Sequence, residues 1–326
     1  MGIVPVKDGK AKISTCYGNA FMSKNQLIVD KNLKDSWNSK EFQFQRRLLL
    51  RKDWSFCRGA MCHVNPFSQE ARYMENGDIT IALTKKKTQL DYFAKILELS
   101  ISYACNNRCF SCYQAIRNAD YCLRDNLIKE LKQDIIPFVD HVILSGGEPF
   151  FDKRSLEFIE WMVSSYPQKK LSINTNGILL DKFGLEKLVK NNVYLAVTFY
   201  GMSPKTYKMA TGSNCFDNVL ENVNRLISAN YKEMQLYFLV SSVSSGEIEK
   251  FCDFVEKNNQ VKAVVINNCY EGGRYRNLMM RFKKKYGHIS PRLKFQHLRE
   301  TFLQMAVRKL YDPLYSLRYQ INKRHL

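Results

Sequence analysis

Residues 105–112 read CNNRCFSC, placing Cys105, Cys109 and Cys112 three residues and then two apart. Closed zinc and iron sites take four protein ligands, so a tight set that stops at three leaves one metal position for something else. Directly before it lies LELSISY (97–103), a run of strand-forming residues, so the thiols sit where a strand gives way to a loop.

Working outward, the same unit recurs. HVILS (141–145), LSINT (171–175), VYLAVTF (193–199), MQLYFLV (234–240) and VKAVVI (261–266) are short, nearly continuous apolar runs, the texture of parallel strands covered on both faces. Between them LEFIEWMV, LEKLVKN, VLENVNRLI and EIEKFCDFV repeat apolar residues at intervals of three and four, and Asp152 and Asp181 stand where helix N-caps belong. Six strand and helix units predict an α/β fold, a partial (β/α)6 TIM-type barrel with right-handed crossovers. Functional loops then lie at the C-terminal ends of the strands. The polar motifs fall on that one rim: the cysteines after the first strand, GGEP (146–149) after the second, TNG (175–177) ending the third, and Tyr200-Gly201 after the fourth.

The 326 residues are 45% hydrophobic and 13% aromatic, enough for a sizeable core and against disorder. MGIVPVKDGK lacks the apolar centre of a signal peptide and no run is long enough to span a bilayer, so the expected location is cytoplasmic. Ten cysteines in such a chain read as metal ligands or catalytic groups before disulfides. A net charge of +19 is concentrated in residues 271–326, where 14 Lys and Arg face only Glu271, Glu300 and Asp312. That tail implies an acidic partner or the anionic inner face of a membrane; no RNA-binding signature accompanies it, which speaks against nucleic acid.

Three plainer readings of CNNRCFSC stay open on spacing alone: a zinc knuckle with a distant fourth ligand, core cysteines, and one catalytic thiol with two bystanders. No histidine stands between Cys112 and His141, which counts against the knuckle. As a function, the first of these would make the chain a non-catalytic zinc module binding RNA or membrane.

CxxxCxxC after a first strand, followed by GGEP after the second, resembles the radical S-adenosylmethionine superfamily. The resemblance covers about residues 96 to 270. It implies that Cys105, Cys109 and Cys112 hold a [4Fe-4S] cluster whose fourth iron takes the amino and carboxylate groups of S-adenosylmethionine. One electron then cleaves the sulfonium, and the 5′-deoxyadenosyl radical abstracts hydrogen from substrate. It further implies cofactor contacts at Gly146, Gly147, Glu148 and Pro149, at Asn174 and Thr175, at Thr198, at Tyr113, and at Lys208 in place of a family arginine. A reductant such as a flavodoxin or ferredoxin would supply the electron. The family's aromatic residue before the last cysteine is absent, Phe110 standing one place early and Ser111 at that position.

The first 95 residues have another texture. DGKAKISTC, SWNSKEFQFQRR and CRGAMC resemble the accessory domain called SPASM or its twitch form, here ahead of the barrel instead of behind it. The likeness implies a hairpin at Asp8-Gly9, a helix after Trp37, and an auxiliary iron-sulfur cluster on Cys16, Cys57 and Cys62, with Cys122, His63 or substrate as fourth ligand. Relatives of that unit favour oxidative modification of a peptide or protein, with a small-molecule sugar or cell-envelope precursor as rival. The expected organisation is therefore an α+β accessory domain over 1–94, a radical core over 95–270, and a basic helical extension over 271–326. In that extension Phe295, Leu298, Phe302, Met305 and Leu310 fall on one helical face. Cys269, after the last strand, is placed to give a hydrogen atom to a substrate radical, and Cys252 reads as a buried apolar residue.

Overall fold

A computed structural model describes residues 1–14, 27–51, 81–82, 84–110, 112, 120–191, 193–267 and 274–296. By packing they divide into two units, the described residues of 1–99 with 122–140, and those of 100–121 with 141–296.

In the first unit, β1 (Gly2–Pro5) and β2 (Ala11–Ser14) form the hairpin expected at Asp8-Gly9. Both turn residues take positive φ, 68° and 72°, which an aspartate tolerates and a glycine adopts freely. β3 (Leu27–Val29) lies antiparallel to β2, while β4 (Ile96–Ser100) runs parallel to β1. α1 (Lys40–Leu50) follows a short turn over Asp35–Asn38. α2 (Asp125–Glu130) continues as a wide π turn, and its Glu130 carboxylate accepts the Leu33 amide at 2.9 Å.

The centre of this unit is Arg46. Its buried guanidinium donates to the carbonyls of Thr88 and Trp37 and to Asn38 Oδ1 at 3.2 Å, and lies 4.7 Å from the centre of the Trp37 ring. Asn38 in turn bridges to residue 90, accepting the Leu90 amide and donating to the Leu90 carbonyl. A tryptophan, an asparagine and a later arginine thus lock α1 to the segment leading into β4.

In the second unit β5 (His141–Ser145), β6 (Lys170–Thr175), β7 (Tyr194–Phe199), β8 (Met234–Val240), β9 (Lys262–Asn267) and β10 (Leu293–Gln296) each pair in parallel with the next. α3 (Lys153–Ser165), α4 (Leu180–Phe183) with α5 (Leu185–Lys190), α6 (Pro204–Thr211) with α7 (Phe216–Ser228), α8 (Ile248–Lys257) and α9 (Arg276–Lys285) fill the crossovers. The strands expected from 97 to 266 are β4 to β9, and the sequential parallel order is that of a (β/α) barrel segment. α8 buries Ile248, Phe251, Cys252 and Val255, with Phe251 stacked on Phe238 at 5.0 Å. Each such side chain contributes roughly 1.5–3 kcal/mol of burial. Cys252 is the buried residue expected, and burial pushes its thiol up to about 12.

Two expectations are corrected. Asp152 caps α3, accepting the Ser155 amide at 2.9 Å, but Asp181 lies inside the short α4, because Gly184 at φ 93° splits the pattern into two helices. Phe295 is on strand β10 and not on a helical face: LKFQ pairs with β9, whose unpaired edge offers a ladder that the apolar spacing alone does not reveal. Leu298, Phe302, Met305 and Leu310 lie outside the described residues, where the remainder of that helix was expected. Among the described residues no helix is long and apolar enough to cross a membrane.

Arg46→Lys keeps the charge but loses the planar fork, and should destabilise the protein by about 2–4 kcal/mol, because buried acceptors lose their donors. Chemical denaturation checks this; a stability equal to wild type would remove Arg46 from the centre of the unit.

Candidate active site

The cysteine loop, the GGEP turn and the end of β6 all belong to the second unit, and backbone contacts bind them together. The Gly147 amide donates to Ser102 O at 3.0 Å and the Glu148 amide to Ala104 O at 2.8 Å. This approach leaves no space for a side chain, since a Cβ on Gly147 would stand 2.0 Å from Ala104 O. Gly146 has φ 129°, and its Cβ would meet Ser102 O at 2.5 Å. The glycine pair therefore exists to let one loop lie against another.

Glu148 is the side chain beneath this contact. It is 2% exposed and accepts three bonds: from Thr175 Oγ1 at 2.7 Å, from the Asn176 amide at 2.7 Å and from the Phe150 amide at 3.2 Å. Burial pushes its carboxyl up to about 7, and the three donors hold it from rising further. The Thr175 hydroxyl also accepts the Gly177 amide at 3.0 Å, so it serves the turn. Asn176 reaches the cysteine loop, its Nδ2 donating to Asn106 Oδ1 at 2.7 Å while its Oδ1 accepts the Ile178 amide.

α6 fastens the same loop from its other end. The Arg108 amide donates to Thr211 O at 2.7 Å and the Phe110 amide to Ala210 O at 3.2 Å, using carbonyls that the end of α6 leaves open. Asn107 Nδ2 donates to Tyr207 Oη at 3.4 Å, and the Asn107 amide to Cys105 Sγ at 3.4 Å. Cys109 is buried, and Cys105 and Cys112 are half-buried.

The Tyr200 phenol is pushed up by burial first and then by Cys109, Cys112 and Cys105. Among the described residues no three His, Cys, Asp or Glu side chains are close enough to share one ion. A cubane cluster asks for something else: each thiolate binds a different iron, so its ligands stand further apart than those of a single ion. Three cysteines from one loop, beside a side-chain-free glycine turn, are the donor set that such a group takes.

Of the other expected contacts, Thr198 is half-buried on β7, Pro149 is buried, Asn174 is exposed at the end of β6, and Lys208 is exposed on α6. Tyr113, Cys269, Cys16, Cys57 and Cys62 lie outside the described residues; Cys122 is half-buried in the first unit. Sequence reading picked out Asn176 and Tyr200 at the strand ends but passed over Asn107 and Tyr207. The signal for Asn107 was present, a polar residue in the loop itself; for Tyr207, in a helix 100 residues away, there was none.

Between pH about 4.5 and 7 the unfolded chain has lost the proton that folded Glu148 keeps, so stability falls as pH rises through that window and levels off above it. The fall should be on the order of 3 kcal/mol and should vanish in Glu148→Gln. Denaturation midpoints at pH 5 and pH 8 for both proteins measure it; parallel curves would place the carboxyl in water.

Comparison with known proteins agrees with the fold. The family model of the Radical SAM superfamily matches residues 99–255. A protein of Methanococcus maripaludis strain C5, named a probable GTP 3′,8-cyclase, is 21% identical over 229 residues, 69% of this chain and 70% of its own. One of Saccharolobus islandicus strain Y.N.15.51, with the same name, is 25% identical over 169 residues, 50% of this chain and 54% of its own. Among solved structures, Streptococcus suis SuiB bound to S-adenosylmethionine has a TM-score of 0.52 at 16% identity, covering 88% of this chain and 69% of that one. SuiB bound to its precursor peptide SuiA gives 0.53 at 14% identity, covering 94% and 73%.

Proposed function

We propose, from the match of residues 99–255 to the family model of the radical SAM superfamily, that this chain is a radical SAM enzyme that modifies a peptide or protein oxidatively, with Cys105, Cys109 and Cys112 holding its cluster. Its cofactors are a [4Fe-4S] cluster and S-adenosylmethionine. When bound, these supply the one-electron cleavage that yields a 5′-deoxyadenosyl radical for hydrogen abstraction.

The protein's share is positioning. The observation that carries the reading is the double fastening of the cysteine loop, to the GGEP turn on one side and to the end of α6 on the other. Gly146 and Gly147 seat the GGEP turn against the cysteine loop, and that turn is offered to the methionine part of the cofactor. Glu148, buried, sets the turn against Thr175 and Asn176. Thr198, on the next strand, is the hydroxyl offered to the ribose, with Asn174, Tyr113 and Lys208 as further cofactor contacts. Cys269 is the hydrogen donor of this scheme.

The peptide as substrate is supported by the Trp37, Asn38 and Arg46 lock, which matches the Trp-Asn-Ser start and following arginine of the SPASM unit. We assign that unit residues 1–94, with an auxiliary cluster on Cys16, Cys57 and Cys62, the core residues 95–270 and the basic extension residues 271–326. A reductant of the flavodoxin or ferredoxin kind fits the one-electron requirement, and the basic extension fits an acidic partner or an anionic membrane face. A second reading, a nucleotide substrate, is favoured by the relatives named as GTP cyclases. The non-catalytic zinc module is set aside by the superfamily match.

Replacing all of Cys105, Cys109 and Cys112 with alanine should remove about four irons per chain and abolish 5′-deoxyadenosine formation. Replacing Cys57 and Cys62 should remove a further cluster's worth and leave that cleavage in place. Iron and sulfide assays with chromatography decide both. Stimulation of cleavage by GTP, and not by peptides, would move the assignment to the second reading.

A further inference from the structure

Asn107 stands inside the cysteine loop, 2% exposed, and its Oδ1 is buried with no hydrogen-bond partner among the described residues. An unsatisfied buried amide costs roughly 1–3 kcal/mol and calls for an explanation. Its surroundings supply one. The Asn107 backbone amide is 3.4 Å from Cys105 Sγ, and the phenol that meets its side chain, Tyr207, is itself influenced by Cys109.

The two ends of an asparagine amide are distinguished by hydrogen bonding alone. With Nδ2 toward Tyr207 Oη, the buried phenol has no acceptor for its proton and Oδ1 has no donor among the described residues. With the amide turned over, the phenol O–H donates to Oδ1, and one nitrogen carrying two N–H groups remains. That nitrogen belongs to a residue standing two places from both Cys105 and Cys109, whose backbone amide already lies 3.4 Å from Cys105 Sγ, so sulfur of the cluster these cysteines would hold is a natural acceptor for it.

We propose that Asn107, set by Tyr207, is a positioning residue that donates an N–H hydrogen bond to sulfur of the cluster or its cysteine ligands, and so raises the cluster's reduction potential. The inference rests on the cluster assigned to Cys105, Cys109 and Cys112. Its physics is general: a donor to sulfur stabilises the extra negative charge of the reduced state more than the oxidised state. Tyr207 fixes which end of the amide faces sulfur, and α6 holds Tyr207 fully buried. An aliphatic side chain of similar size at position 107 would fill the space and give no donor.

The test is a potentiometric titration, read by electron paramagnetic resonance, of anaerobically reconstituted wild type, Asn107→Leu and Tyr207→Phe. Iron and sulfide are measured on each sample. In Asn107→Leu the ratio of reduced to oxidised cluster at the wild-type midpoint should fall about tenfold, equal to about 59 mV for one electron. Tyr207→Phe, which frees the amide to turn, should shift the potential in the same direction by less. A cluster retained in full with an unchanged or higher midpoint overturns the inference. If Asn107→Leu does not retain iron, Tyr207→Phe, outside the loop, carries the test: an unchanged midpoint there overturns it too. Wild type without a reducible cluster is a separate failure, of the assignment of the cysteines.

Discussion

The second unit is organised around a backbone contact that only glycine permits. Gly147 N and Glu148 N reach the carbonyls of Ser102 and Ala104, at separations that exclude any Cβ on Gly147. This contact joins the loop carrying the thiols to the turn after β5. Everything else at the site adjusts to it. Glu148 is driven inside, where its carboxylate oxygens gather Thr175, Asn176 and Phe150, and Asn176 carries the link back to Asn106. One close approach thereby aligns the ends of β5 and β6 with the cysteine loop.

The second constraint is the end of α6. Helix termini leave carbonyls without partners, and here those of Ala210 and Thr211 take the amides of residues 110 and 108. Gly212, in the left-handed region at φ 69°, ends the helix so that they are exposed to the loop. A cysteine loop fixed at both ends loses little further entropy when it binds a cluster, which favours binding over a floppy equivalent.

Much of this was legible in the sequence because the strands are apolar runs bounded by turn residues, and because CNNRCFSC, GGEP and TNG punctuate their ends. HVILS and MQLYFLV match β5 and β8 residue for residue. What was not legible depends on distant partners. Glu148 reads as a cofactor contact, yet its hydrogen bonds run to the protein's own turn, and nothing near it in sequence announces Thr175 as its donor. Asp181 looked like a cap because the glycine that divides its helix comes three residues later. LKFQ reads equally as one stripe of a basic helix, and only the free edge of β9 makes it a strand.

The central claim is that the glycine turn, seated against residues 102–104, makes the place where S-adenosylmethionine meets the cluster. It is tested most directly by the electron paramagnetic resonance spectrum of the dithionite-reduced cluster before and after adding S-adenosylmethionine, in wild type, Gly147→Ala and Gly246→Ala. Gly246 is a control, since a Cβ there meets nothing within 4 Å. The account predicts a changed spectrum in wild type and Gly246→Ala, and, with iron retained, an unchanged one in Gly147→Ala. The same spectral change in all three would contradict it.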